Sequence, residues 1–183
     1  MFAWLKELGL RLLSTLGLYN KNATVVLLGL DNSGKSTLLH RLSQGQVTAL
    51  QPTERPHIDE FRLGGVAFKA WDLGGHEAVR YLWFDFLTDS HAIVFMIDGA
   101  DEERLEEAHW ELSEMLSDTT LDGVPVAVLY NKSDLPNSMP EDKLRRTLDL
   151  EQLELRRPIK TFRTSVIKGD GYPDAFRWLA SHL

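Results

Sequence analysis

The chain has 183 residues, 43% hydrophobic and 26% charged, which suits a single globular domain with a full core. A net charge of −7 and a pI of about 5.3 exclude a nucleic-acid binder that works through bulk positive charge, and any membrane contact has to be apolar rather than polybasic. The absence of cysteine excludes a disulfide framework and thiol catalysis.

Residues 2–16 read as an amphipathic helix. Leu5, Leu8, Leu12 and Leu16 recur at helical spacing, Phe2 and Trp4 add a bulky apolar tip, and Gly17 is a stop signal. A bilayer-spanning helix needs roughly 20 apolar residues, whereas the stretch from Leu8 to Leu18 carries Arg11 and two glycines. Phe2 also stands where N-myristoylation needs a glycine. Phe2, Trp4 and Leu5 are therefore candidate contacts for shallow, reversible interfacial binding. The competing reading is a helix docked on the domain.

Further along, Thr24 to Leu28 predicts a buried strand, followed by a glycine-rich turn and a helix from Lys35 to about Ser43. Alternating runs at Phe61–Leu63 and Val66–Ala70 flank Gly64-Gly65, a tight-hairpin signal. Ala92 to Ile97 reads as a strand, Asp101 to about Leu116 as an acidic helix, and Val124 to Tyr130 and Ile159 to Thr164 as further strands. Pro173 opens a closing helix to Leu183. Strands alternating with helices predict a doubly wound α/β fold, into which a P-loop NTPase motif fits: a six-stranded, mostly parallel sheet with one antiparallel strand and helices on both faces. The expected organisation is an N-terminal amphipathic helix over residues 1–20, membrane-inserting or groove-docked, and an α/β domain over 21–183.

Ligands of such sheets bind at the carboxyl ends of the strands, and the polar residues gather there. Gly29-Leu30-Asp31-Asn32-Ser33-Gly34-Lys35-Ser36 fits the P-loop pattern, strand before and helix after. Backbone N–H groups from Asp31 to Thr37 (Asp31, Asn32, Ser33, Gly34, Lys35, Ser36, Thr37) would cradle phosphates at the helix N-terminus, with Lys35 reaching the outer phosphates and the Ser36 hydroxyl on Mg²⁺. Asn131-Lys132-Ser133-Asp134 follows the third buried strand. The Asp134 carboxylate can accept from guanine N1–H and its amino group, a donor pair adenine lacks, so the motif favours GTP/GDP over ATP. Asn131 would brace the loop, the Lys132 stem would lie along the base, and Ser165-Val166-Ile167 would offer backbone N–H groups to it.

Trp71-Asp72-Leu73-Gly74-Gly75-His76 ends the hairpin's second strand. Asp72 is a candidate Mg²⁺ holder through water. Gly75 can bring its N–H to a γ-phosphate. Thr53, after Pro52, can join both Mg²⁺ and that phosphate in the GTP state alone. His76 stands where an attacking water needs orienting; the bland alternative is a solvated loop histidine. The candidate catalytic set is thus His76, Lys35, Thr53 and Gly75, and the candidate metal set Ser36, Thr53 and Asp72. With no arginine obviously placed in cis, hydrolysis should be slow until a partner supplies one.

Together the segment Leu28–His40, Pro52-Thr53, Trp71–Glu77, Asn131–Asp134 and Gly171–Leu179 resemble the Arf/Sar family of small GTPases, and most its Sar-type branch, in which a histidine follows Asp-Leu-Gly-Gly. Leu16–Lys21 and Trp83 also fit. The resemblance implies a GTPase that cycles between cytoplasm and the cytosolic face of the endoplasmic reticulum membrane, with the Golgi as a further station, and starts COPII coat assembly. It implies a guanine nucleotide exchange factor, a GTPase-activating subunit of the inner COPII coat that supplies an arginine finger, membrane entry of the N-terminal helix, and a sliding Gly64-Gly65 hairpin. The chain departs from the pattern at His57, where the family tends to have threonine, and in a shortened segment between Leu150 and Pro158. The alternatives are an Arf-like role in another trafficking or cytoskeletal step, and a nucleotide-dependent scaffold with little hydrolysis. A P-loop metabolite kinase is disfavoured by Asp134.

Overall fold

Short apolar runs bounded by glycine and polar residues are too brief for helices and too apolar to face water, so they become the interior strands of a sheet covered on both sides. The computed structural model describes residues 21–47, 55–150 and 157–183. The predicted helix over 2–16, with Phe2, Trp4 and Leu5, and the Thr53 position lie outside them.

The elements are β1 (Lys21–Leu28), α1 (Lys35–Gln44), β2 (His57–Leu63), β3 (Val66–Asp72), α2 (Trp83–Leu87), β4 (Ala92–Asp98), α3 (Leu105–Ser117), β5 (Val126–Asn131), α4 (Glu141–Thr147), β6 (Ile159–Arg163) and α5 (Tyr172–His182). A 3₁₀ segment, Glu77–Leu82, leads into α2. The six strands lie in the order β2-β3-β1-β4-β5-β6. β2 alone runs antiparallel, paired with β3 from His57 opposite Asp72 to Leu63 opposite Val66. β1 lies between β3 and β4, parallel to both.

Alternate residues of each strand serve opposite cores. Val26, Leu28, Phe95 and Val128 face a cluster with Leu112 and Met115 of α3. Val25, Leu27, Val94 and Leu129 face a cluster with Leu38 of α1 and Phe176 of α5. In that second layer Phe61 stacks on Phe68 at 5.3 Å, and both meet Phe176 edge-on at 5.2 and 5.4 Å. These rings fasten the hairpin to α5. The hairpin turns at Gly64 and Gly65 with φ of 62° and 80°, the positive pair that a tight two-residue connection needs.

The predicted elements that fall within the described residues are all present, with moved ends. β2 begins at His57 rather than Phe61, because ladder bonds to β3 hold its polar first half. α3 begins at Leu105 rather than Asp101, because the Asp98 carboxylate accepts from Ala100 N–H at 3.0 Å and folds the preceding residues into a turn. The helices α2 and α4, of 5 and 7 residues, are too short for a helical period to show.

Phe176 is fully buried at the centre of the aromatic cluster. Phe176→Ala should lower unfolding stability by about 3–5 kcal/mol, read from the urea midpoint at unchanged slope.

Candidate nucleotide-binding site

The P-loop wraps around its own lysine. Asn32 takes a left-handed φ of 61°, and Lys35, 6% exposed, donates from Nζ to the Gly29 carbonyl at 2.8 Å and the Leu30 carbonyl at 2.9 Å. Burial pushes this ammonium down to about 8, with the charges of Asp72 and Asp31 opposing the shift. A buried cation with nearby carbonyls as its hydrogen-bond partners is a site shaped for an anion. Ser33, also buried, donates to the Leu30 carbonyl at 2.8 Å. Ser36 and Thr37 lie in the first turn of α1, whose N-terminus favours phosphate.

Asp72 is buried at the end of β3, in register opposite Leu27, which places its carboxylate beside the P-loop. A carboxylate there with the Ser36 hydroxyl is a hard-oxygen donor set that fits Mg²⁺.

Of the residues expected to read a base, Asn131 is bonded directly to the P-loop. Asn131, 3% exposed, donates from Nδ2 to the Ser33 carbonyl at 2.8 Å and accepts at Oδ1 from Val166 N–H at 3.1 Å. Ser165 Oγ donates to Asp134 Oδ1 at 2.5 Å and accepts from Lys168 N–H at 3.1 Å. Lys132, at φ 63°, reaches Asp98 at 2.6 Å. Asp134 and Ile167 stand exposed at the rim.

On the other side, Gly75 lies directly on the P-loop. A Cβ at this position would come within 2.3 Å of Asp31 N and the Leu30 carbonyl carbon, so no other residue fits without moving the loop. Arg80 Nε donates to the Gly75 carbonyl at 2.8 Å, and Trp83 Nε1 to the Gly74 carbonyl at 2.9 Å. His76 is exposed and caps the 3₁₀ segment, its Nδ1 accepting from Ala78 N–H at 3.4 Å.

A family model described as the ADP-ribosylation factor family matches residues 10–183. The chain belongs to the Arf family of small GTPases. It is 41% identical over 181 residues to the "Small COPII coat GTPase SAR1" of Giardia intestinalis, covering 93% of this chain and 95% of that one. It is 34% identical over 161 residues to "ADP-ribosylation factor-like protein 3" of Chlamydomonas reinhardtii, covering 88% and 90%. Among solved structures, the Arl6 BBS3 small GTPase from Trypanosoma brucei with bound nucleotide analogue GppNp superposes with a TM-score of 0.80 at 30% identity, over 88% of this chain and 96% of that one. A guanine-nucleotide site of this family is what the P-loop and Asn131–Asp134 geometry accommodates.

Four residues of this Arf-family site escape sequence reasoning. Arg41 on α1 donates to the Val166 and Ile167 carbonyls at 2.7 and 2.9 Å. Asp98 anchors Lys132. Arg80 pairs with Glu107 at 2.6 Å and Glu111 at 2.5 Å. Arg104 pairs with Asp31 at 2.9 Å and Glu107 at 2.8 Å. Apart from the i,i+3 pair Arg104–Glu107, they lie 27 to 126 residues from their partners, and no local pattern marks these long-range pairings. The Arg104 bond and charge hold Asp31 below the usual carboxylate range, outweighing its partial burial.

Lys35→Met should leave the nucleotide-free thermal midpoint unchanged or raised, since it removes a buried charge. The rise on adding Mg²⁺-GDP should largely vanish, as read by differential scanning fluorimetry. The Arg104 hydrogen bond, helped by Arg80 against partial burial, lowers Glu107 from its ordinary 4.5 to about 2. Its stabilising contribution is therefore complete above pH 4.5 and disappears as the pH falls toward 2. Glu107→Gln should be less stable than the parent at neutral pH, with the gap closing across that window in acid unfolding curves.

Proposed function

We propose that this chain is a GTP-hydrolysing switch of the Sar type, which starts COPII coat assembly at the cytosolic face of the endoplasmic reticulum. The observation that carries the Sar-type reading is the 41% identity to the Giardia intestinalis small COPII coat GTPase across nearly the whole of both chains. The Sar-type histidine at position 76 supports it.

In this reading Asp134 accepts from the guanine edge, Asn131 and Ser165 hold the reading loop, and the N–H groups from Asp31 to Thr37 bind the phosphates with Lys35. Ser36, Thr53 and Asp72 hold Mg²⁺, directly or through water; the bound ion neutralises charge on the phosphate oxygens. Gly75 presents its N–H to the γ-phosphate. His76 leaves its cap on the 3₁₀ segment to orient the attacking water. Arg80 and Arg104 are engaged by Glu107, Glu111 and Asp31, which supports an arginine supplied by an activating coat subunit. An exchange factor loads GTP. Residues 1–20 then enter the bilayer interface through Phe2, Trp4 and Leu5. A second reading, an Arf-like GTPase of another trafficking step, is favoured by the 34% identity to an ADP-ribosylation factor-like protein.

With Mg²⁺-GTP rather than GDP, more of the protein should pellet with liposomes, and changing Phe2, Trp4 and Leu5 together to Ala should remove the increase. Pelleting that is equal in the two nucleotide states would sink the membrane-coupled switch. Capture of inner COPII coat subunits by the GTP-loaded form separates the Sar-type reading from the Arf-like one.

A further inference from the structure

Between the 3₁₀ segment with α2 on one side and α3 on the other runs a groove of about 540 Å³. Its floor is apolar and buried: Trp83, Leu87 and Met115. Its walls are three exposed aromatics, Tyr81 at 71%, Phe84 at 43% and Trp110 at 62%. Half of the six large hydrophobic side chains exposed among the described residues therefore meet here. The α3 stripe of Leu105, Ala108, Leu112, Met115 and Leu116 already satisfies the core, so the Trp110 indole contributes nothing to it. Aromatic clusters of this kind on a folded surface mark a contact face.

The charge around the groove decides what the face meets. Glu77, Glu107, Glu111 and Glu114 line it, with Arg80 the single basic lining residue among the described residues. Arg80 is spent on Glu107 and Glu111, while Glu77 and Glu114 stand exposed. The groove is therefore acidic. A second copy of the chain would bring the same negative charge against it. An anionic bilayer would be repelled in the same way. We propose that this groove is the docking site of a protein segment that presents apolar side chains flanked by Lys or Arg, as an amphipathic basic helix does. The aromatics supply the buried contact; Glu77 and Glu114 meet the flanking cations and set orientation.

The groove is also joined to the nucleotide site. Arg80 holds the Gly75 carbonyl and both glutamates of α3, so the segment bearing Tyr81 and Phe84 is fixed to the glycine that lies on the P-loop.

The test uses the full chain and a fluorescent synthetic amphipathic peptide with leucines on one face and arginines along its flanks, against a twin carrying glutamate for each arginine. The arginine peptide should bind, with its affinity falling as salt rises and with the Trp110 indole N–H resonance shifting on addition. The glutamate twin should bind at least about tenfold more weakly. Trp110→Glu, and separately Glu77→Arg with Glu114→Arg, should each lower affinity for the arginine peptide by about tenfold or more. All these positions are exposed, and unchanged circular dichroism melting and nucleotide binding would show the fold intact. Equal binding of the two peptides, or equal binding to parent and Trp110→Glu, would overturn the proposal. So would a parent dimer in sedimentation equilibrium, or pelleting with anionic vesicles, that Trp110→Glu abolishes.

Discussion

The buried carboxamide of Asn131 is the joint on which the nucleotide site depends. Its amide donates to the Ser33 carbonyl in the P-loop, and its oxygen accepts from Val166 N–H in the loop after β6. One side chain at the end of β5 thus ties the P-loop to the loop after β6. A buried amide has no water to fall back on, so losing either partner would leave a polar group unsatisfied at a cost of about 1–3 kcal/mol. Ser165 then orients the Asp134 carboxylate, and Arg41 holds the carbonyls of Val166 and Ile167 from the far side. In the proposed reading, a reader held at a fixed distance from the phosphates would let one nucleotide satisfy both ends together.

The phosphate end is shaped by an electrostatic debt. Lys35 is held out of water against backbone carbonyls, and burial lowers its proton affinity. Phosphate oxygens relieve that situation. Much of the binding energy for nucleotide is thus prepared in the fold, which is the sense in which the site is preorganised for its ligand.

On the opposite side, Gly75 is the point where the segment after β3 touches the P-loop, and only a hydrogen in place of a side chain permits the approach. The contact does not stand alone. Arg80 fastens the Gly75 carbonyl to Glu107 and Glu111 on α3, and Arg104 fastens Glu107 to Asp31 in the P-loop. The ring closes through side chains that are partly shielded from solvent, where charge-assisted hydrogen bonds outweigh ordinary surface pairs. A change at the phosphate can therefore be felt along α3, where the aromatic groove opens.

The sequence by itself determined the P-loop pattern, the Asn131–Asp134 motif, the glycine pair after β3 and the alternation of strands and helices, because each depends on residues adjacent in the chain. Periodicity, glycine at a turn, and a polar motif following an apolar run are local signals. The same reasoning marked His76 and Thr53 as candidates on motif grounds, and it located the hairpin turn by two glycines. What only the tertiary structure decided is how those motifs are held: Asn131 on Ser33, Arg41 on the Val166 and Ile167 carbonyls, Asp98 on Lys132, and Arg104 on Asp31. It also decided that Tyr81, Phe84 and Trp110 share one groove. These pairings join residues far apart in the chain, and nothing in a local pattern encodes them. They follow from the strand order, which brings the carboxyl ends of β1, β3, β4, β5 and β6 to one edge of the sheet.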